Sequence, residues 1–478
     1  GKGALAKFGA GTLRRSGANS YAGGPTISGG ALAAMTTGAL GTGPVSVAGS
    51  SGSPAELRFN GSATAGSLAI SVVNTNSHLG FFNTASAGDA MIDNNGRIDF
   101  YDRTLAGNAT IGCTGGLSFT EGSNAGTSRI TIDGGGSLDF YGSSSAGSAI
   151  ITNNHFVRFL GDNTADGATI INNAGGGVNI AELTNGGIGI GSLSGDGRLS
   201  LGSKMLTLGG LNRNDMIGGI IQDGSNGAGG GLVKTGAGNL VLAGLNTYTG
   251  TTTVNAGTLS VNGSIASSSL TAAEAGATLG GNGTVGDTTI DGGTLAPGNS
   301  IGALTVQGNL VMTAASTYMV EVSPAGSDFT HVTGTATLGG ATVQAQFATG
   351  SYVEKRYTIL TADGGVSGTF SGPVNTNLPA NFKSALAADG NNAYLDLVLD
   401  YTPPAAPNYG RGLNVNQQNV ANTLVNVFNT NGGIPLVFGA LDPRGLSLAS
   451  GEVATTASQA AFDAQSQFLN TLTDPLAG

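Results

Sequence analysis

Leu5 to Leu32 reads LAKFGAGTLRRSGANSYAGGPTISGGAL, and Leu232 to Leu259 reads LVKTGAGNLVLAGLNTYTGTTTVNAGTL. The two stretches align without a gap. Both keep Lys, Gly-Ala-Gly, Leu, Gly, Asn, Tyr, Gly, Thr, Gly and Leu in step. A segment that recurs this faithfully is one structural unit used twice, and it points to a repeat architecture.

A shorter period runs between Ala63 and Gly177. Ala-Gly-like corners fall at Gly66, Gly88, Gly107, Gly126, Gly147 and Gly167, in steps of 22, 19, 19, 21 and 20 residues. One rung of a parallel β-helix has about this length. The columns between corners then align. Ile98, Leu117, Leu138 and Val157 share one inward phase. Phe100, Phe119, Phe140 and Phe159 share the next, two residues on. Asp99, Ser118, Asp139 and Arg158 lie between them and are expected to face solvent, because alternate residues of a strand point to opposite faces. At about 20 residues per rung, 400 residues predict about 20 rungs and a rod about 95 Å long.

Composition supports this reading. The chain has 478 residues, 85 of them Gly, and only 10% are charged. There is no Gly-X-Y period, and β-branched residues recur throughout, so neither collagen nor simple disorder fits. Gly, Asn and Asp mark turns, and Val, Ile, Leu, Thr and Phe mark short strands. Net charge is −10 with 18 Lys plus Arg and no basic patch, which argues against nucleic acid and anionic lipid as partners. The single cysteine, Cys113, forms no internal disulfide and reads as a small buried residue. No apolar run is long enough to span a bilayer as a helix. The chain opens at Gly1 without Met, beside a repeat unit, as expected of a processed piece of a longer precursor.

From Gly231 onward the sequence resembles the passenger region of bacterial autotransporters, the type V secretion family. GLVKTGAGNLVLAGLNTYTGTTTVNAGTLSV (Gly231 to Val261) resembles the passenger-associated transport repeat, and the copy at Leu5 extends the likeness towards the N-terminus. GGTLAPGNSIGALTVQGNLVM (Gly292 to Met312) resembles the next element. SDFTHVTGTATLGGATV (Ser327 to Val343), YTILTADGGVSGTF (Tyr357 to Phe370) and NNAYLDLVL (Asn391 to Leu399) resemble the pertactin-like, autochaperone end of a passenger. The resemblance implies an all-β, right-handed parallel β-helix, a hand consistent with the bias of parallel crossovers. It also implies that the C-terminal rungs fold first and template the rest, and that a C-terminal outer-membrane β-barrel is the chain's natural partner. Location on the bacterial surface, in the outer membrane or outside the cell follows from the same likeness.

The expected organisation is a first transport repeat with adjoining rungs over 1–60, rungs of about 20 residues over 61–230, and a second repeat with rungs over 231–300. An autochaperone region over 301–400, a Pro/Gly linker over 401–412 and a helical segment over 413–478 follow. In that tail Asn414 and Gln417 form a candidate capping pair, and Val420, Leu424, Val427 and Phe428 fall on one helical face. A second stripe runs through Ala457, Ala461, Ala464, Phe468 and Leu472. Its lead-in, Leu446 to Gln459, resembles the segment just before an autotransporter barrel. Self-association through the solenoid ends or this tail is a further expectation.

Catalytic signals are weak. Gly298, Ser300 and Gly302 satisfy G-x-S-x-G, but strand-like sequence rather than a helix follows Ser300. His78, His155 and His331 read as isolated, with no zinc pattern. The Gly-Asp-Ser-Gly signature of some protease passengers is absent. Candidate carboxylate pairs, Asp93 with Asp133 and Asp99 with Asp139, are each read as sharing a column two rungs apart, about 9.6 Å, which is the outer limit for paired catalysis. Arg14 and Arg15 replace Val241 and Leu242 of the second repeat: either one of them points inward or the first repeat is an imperfect end rung, and neither option suggests catalysis. The sequence therefore predicts no catalytic, cofactor-binding or metal-binding residues. It predicts a non-enzymatic adhesin, self-associating factor or surface fibre. A β-helical polysaccharide-degrading enzyme, or the stalk of a passenger whose active module lay upstream, are the alternatives. The host or environmental ligand is not named by any motif.

Overall fold

Short runs of alternating apolar and small polar residues, each ended by a glycine or asparagine turn, leave the chain one economical way to bury its apolar side chains: coil and stack. The computed structural model describes residues 3–324, 326–402, 412–451 and 461–469, and is a parallel β-solenoid. The longest sheet has 18 strands, from Leu5–Lys7 to Val366–Ser367. A second sheet of 11 strands runs from Thr12–Arg15 to Ile221–Gln222. Two further sheets, starting at Asp215–Ile217 and Ser264–Ile265, form the other walls of the C-terminal half. Eighteen strands make a rod roughly 80 Å long, shorter than 95 Å. The later rungs carry longer excursions, and Ala336 pairs with Val366 thirty residues on.

The second sheet follows the column reading. Ile98 pairs with Leu117, Leu117 with Leu138 and Leu138 with Val157, all in parallel register. The phenylalanine column begins two rungs earlier than the period suggested, at Phe59 and Phe81. Its six rings stack at 4.5–5.2 Å between centroids, all fully buried. Gly66, Gly88, Gly107, Gly126 and Gly147 have positive φ, and Gly107 and Gly126 approach the preceding corner so closely that a Cβ would strike a carbonyl at 2.7 and 2.6 Å. Gly167 differs: it lies inside the strand Ala165–Asn172 rather than at a left-handed corner.

The two transport repeats share one internal lock. Lys234 is 1% exposed, and its ammonium donates to the carbonyls of Thr235 (2.7 Å), Gly236 (2.8 Å) and Ala256 (3.1 Å). Lys7 donates to Phe8, Gly9 and Gly29, the equivalent three carbonyls of the first copy. Gly9 and Gly236, and Gly30 and Gly257, all have positive φ, so each repeat turns twice around its lysine. Tyr248 is fully buried with its hydroxyl on Thr252 Oγ1 (2.7 Å). In the first copy Arg15, at the place of buried Leu242, is only half buried and bonds Asn19 Oδ1 (2.7 Å).

At the C-terminal end the parallel ladder stops. Arg356–Ala362 pairs antiparallel with Asn392–Leu399, which pairs antiparallel with Phe382–Ala388. The antiparallel hairpin ends the parallel growth of one wall, the seven-stranded sheet that starts at Ser264–Ile265. Helix α1 (Val415–Asn431) starts with the expected capping box, Asn414 and Gln417 bonding reciprocally. It buries Ala421 and Phe428, and Phe428 meets Phe382 of the hairpin edge-on at 5.7 Å. Gly433–Pro435 adds a strand to Tyr352–Glu354, and Asn381 donates to the carbonyls of Gly439 and Leu441. The short helices α2 (Leu436–Gly439) and α3 (Pro443–Ala449) complete this cap. Ala461, Ala464 and Phe468 lie on a helix over 461–469 and are exposed. Ala457, Leu472 and most of the linker 401–412 lie outside the described residues.

Candidate functional site

Outward side chains of the second sheet form two neighbouring columns. Glu56, His78 and Arg97 occupy one in successive rungs. Arg58, Gly80, Asp99, Ser118, Asp139 and Arg158 occupy the other. Successive rungs are only about 4.8 Å apart, so charged groups in one column are forced into contact. The result is a dense polar cluster bordering a cleft of about 540 Å³.

Asp99 is at its centre and is 1% exposed. Its Oδ2 meets His78 Nε2 (2.8 Å), Arg97 Nε (2.5 Å) and Tyr101 Oη (3.1 Å), while Ser118 Oγ donates to Oδ1. The other ring nitrogen of His78, Nδ1, faces Glu56 Oε1 at 3.2 Å, and Glu56 in turn pairs with Arg58. The solvent-facing expectation therefore fails for Asp99, Ser118 and Asp139: all are buried beneath neighbouring rungs and their own partners. The isolation expected of the histidines also fails. His78 bridges two carboxylates, and His331 faces Asp363 at 3.2 Å. Side chains from rungs 19 to 22 residues apart meet here, a proximity visible only once the register is known.

Electrostatics fix the protonation states. Burial opposes charge on His78, but its bonds to Asp99 and Glu56 prevail and push its pKa up to about 9. Burial also opposes the Asp99 carboxylate, yet His78, Ser118 and Arg97 hold it down to about 2. Glu56 is likewise held to about 2 by His78 and Arg58 against the cost of burial. At neutral pH the cluster is a network of imidazolium, guanidinium and carboxylate, in which the Nε of Arg58 is buried without a partner. An imidazolium with both nitrogens engaged cannot accept a proton. Ser118 also touches the acid rather than the ring, whereas a nucleophilic triad needs the ring between hydroxyl and acid.

The other chemical candidates resolve as architecture. Asp139 accepts both Arg158 bonds, at 2.6 and 2.8 Å, and lies two rungs from Asp99 with Ser118 between them. Asp93 and Asp133 do not share a column: Asp93 pairs with Gly112 and Gly112 with Thr131, while Asp133 bonds Asn154 in an outer polar ladder. The real step between their rungs is set by the strand register, one residue pair off the spacing inferred from sequence. Ser300 sits in a bend with φ 143° and no helix after it. Its neighbour Gly302 donates its N–H to Asp328 Oδ1 (3.0 Å), so G-x-S-x-G here is a turn. Cys113 is buried, and burial pushes its thiol up to about 11, which keeps it unreactive. No group of three or more His, Cys, Asp or Glu is placed to hold a metal among the described residues.

A parallel solenoid with a lysine-locked unit used twice and a core of stacked, buried rings defines the class: a parallel β-helix that resembles the autotransporter passengers. The passenger-associated-transport-repeat family model matches residues 5–34 and 232–261, the two segments that carry the lock. Two proteins of Serratia marcescens, both called extracellular serine protease, are similar to this chain. One is 38% identical over 180 residues and the other 35% over 181. Each match covers 35% of this chain and 17% of the relative, so the chain spans a small part of the length of the proteins it resembles.

Proposed function

We propose that this chain acts as a non-enzymatic passenger at the bacterial surface or outside the cell, in adhesion, self-association or as a structural fibre. The observation that carries the reading is the ion network around Asp99. In this grouping of acid, base and hydroxyl, Asp99 holds both the imidazole and the hydroxyl, and His78 is held protonated. What the rod offers instead is about 80 Å of outer surface, dented by shallow clefts. Such a surface suits extended contact rather than reaction in an enclosed pocket. The natural partner in this reading is a β-barrel of the same precursor. Electron microscopy of the purified chain, with attachment of chain-coated beads to cells, tests it. Filaments or specific attachment are expected. Turnover on a glycan panel, abolished by Asp99→Asn, refutes it.

A second reading is favoured by the names of the Serratia relatives. If this chain is the stalk of a passenger whose catalytic module lies elsewhere in the precursor, its rungs carry that module without contributing to its chemistry. Attachment by the isolated chain separates the two: an adhesin attaches, and a bare stalk does not.

A further inference from the structure

We propose that the outer face of the second sheet carries a subsite for an acidic sugar, centred on Phe156 and Arg198. The proposal rests on the adhesive reading and names the class of ligand. It starts from an anomaly of the outer column Gly116, Ser137, Phe156, Gly177, Arg198, in which one large apolar ring stands among small or polar residues. Phe156 is 50% exposed. It rests against Gly177, where an added Cβ would come within 3.2 Å of the ring, and the His155 ring meets it edge-on at 4.5 Å. Glycine at 177 leaves the space the ring occupies, so the ring is held as a platform without being covered.

Two guanidiniums stand beside this ring in an otherwise acidic chain. A cleft of about 330 Å³ beside Phe156 is lined by His155, Arg158 and Arg198 together with Ser137, Asn179 and Ser200, and by no carboxylate. Its volume is at the small end of ligand sites, roughly 300–1,000 Å³, and suits a sugar unit or two rather than a folded partner. A second cleft shares Phe156 and Arg198 and crosses Gly176 and Gly219, so a longer chain can continue past the ring; one carboxylate, Asp196, lines it. The two guanidiniums differ in kind. Arg158 is fixed by its two bonds to Asp139. Arg198 is exposed and has no ion pair among the described residues, although Asn172 holds its backbone carbonyl (3.1 Å).

A pyranose ring presents an apolar C–H face that packs on an aromatic ring, hydroxyls that match Ser and Asn, and, when oxidised or sialylated, a carboxylate. A planar guanidinium accommodates a carboxylate through paired N–H donors. An inorganic anion would leave Phe156 unused. A nucleic acid would need a long cationic track that a chain of net charge −10 does not supply.

The test is titration of the full chain with oligogalacturonate, sialyllactose, a neutral glucan of equal length and a single-stranded oligonucleotide. At least one acidic saccharide is expected to bind at least tenfold tighter than the glucan, and which one does so identifies uronate or sialate as the source. Arg198→Gln is expected to abolish that tenfold preference. Phe156→Ala is expected to weaken the acidic and the neutral saccharide together. Both side chains are exposed, and an unchanged circular dichroism spectrum and melting curve verify that the variants fold. Binding that is unaffected by both substitutions, absence of acidic-saccharide binding at millimolar concentration, or equal binding of the oligonucleotide overturns the subsite. Bead attachment that persists in both variants overturns it as the adhesive contact while leaving the adhesive reading intact. Loss of all attachment by the unaltered chain refutes that reading instead.

Discussion

Replacing Lys234 by Met keeps most of the aliphatic volume and removes the donor that ties three carbonyls together. Those of Thr235, Gly236 and Ala256 then lose their shared partner. A stranded buried acceptor costs about 1–3 kcal/mol. Water at the turn recovers part of that, and the variant no longer has to desolvate an ammonium, so the net loss is expected near 3 kcal/mol. Lys7 makes the same bonds but belongs to an end rung whose turn, around Phe8 and Gly9, is exposed, so Lys7→Met should cost about 1 kcal/mol. Rungs contact only their neighbours, so the damage should stay local. Amide hydrogen exchange is therefore the assay: protection should fall over 231–261 and survive near Phe119. The pH dependence adds a sign. Burial holds the Lys234 ammonium below the usual lysine range, against the attraction of Asp215. Between that lowered pKa and the ordinary value of 10.5 the unfolded state binds more protons, so this residue's contribution to stability improves as pH rises through the window. The methionine variant lacks that rise. A neutral or stabilised Lys234→Met, or a larger loss at Lys7 than at Lys234, would refute the reasoning.

Three more outcomes are expected. The His78 network contributes stability that is fully present below pH 6.5 and lost as pH climbs through about 9, and Glu56 and Asp99 contribute above pH 4.5 and lose it as pH falls through about 2. Local protection around residues 56–99 should thus peak between about pH 4.5 and 6.5, and an NMR titration of His78 with a midpoint near 6.5 contradicts the network. Phe119→Ala, in the middle of the ring stack, should cost about 3–5 kcal/mol and open neighbouring rungs to protease, whereas Phe119→Leu should cost less than half of that. Deleting residues 301–400, the proposed folding nucleus, should leave upstream rungs protease-sensitive; equal refolding yield and speed of 1–300 alone sinks that proposal.

Two kinds of information in the sequence were legible to different depths. Period and alternation placed the Phe100 to Phe159 stack in correct register because the same inward pair recurs in every rung. Phe81 stands 19 residues before Phe100, the ordinary step, and Phe59 a longer 22 before Phe81, so AELRF and SHLGF carry the same phase. Outward positions were harder. Alternation says only which face a side chain leaves from; whether it remains in water depends on its neighbours one rung away. Asp99 leaves from the outer face and is still buried, because His78, Arg97, Tyr101 and Ser118 close over it. The capping box at Asn414 was readable from four consecutive residues, since its partners are local. The docking of α1 against Phe382 was not, since nothing in the helix names the hairpin it covers.

That contrast bears on where function can reside. Each rung's inner positions are committed to neighbours above and below, with fully buried Leu, Ile, Val and Phe along the whole rod. A substitution there is paid for in packing, so little room exists inside for a changing chemistry. Outer columns are under a looser rule: a residue must only tolerate the residues one rung away. Where charges adjoin, as at Glu56, His78 and Asp99, they pair with one another. Where a glycine adjoins a large ring, as at Gly177 and Phe156, nothing covers the ring, and the nearest free cation, Arg198, is one rung farther on. Binding capacity on such a rod therefore arises at breaks in the outer ladders. Filling the break at Gly177 with a side chain, as in Gly177→Val, should displace Phe156 and remove acidic-sugar binding while leaving the inner Val157–Val178–Leu199 ladder paired.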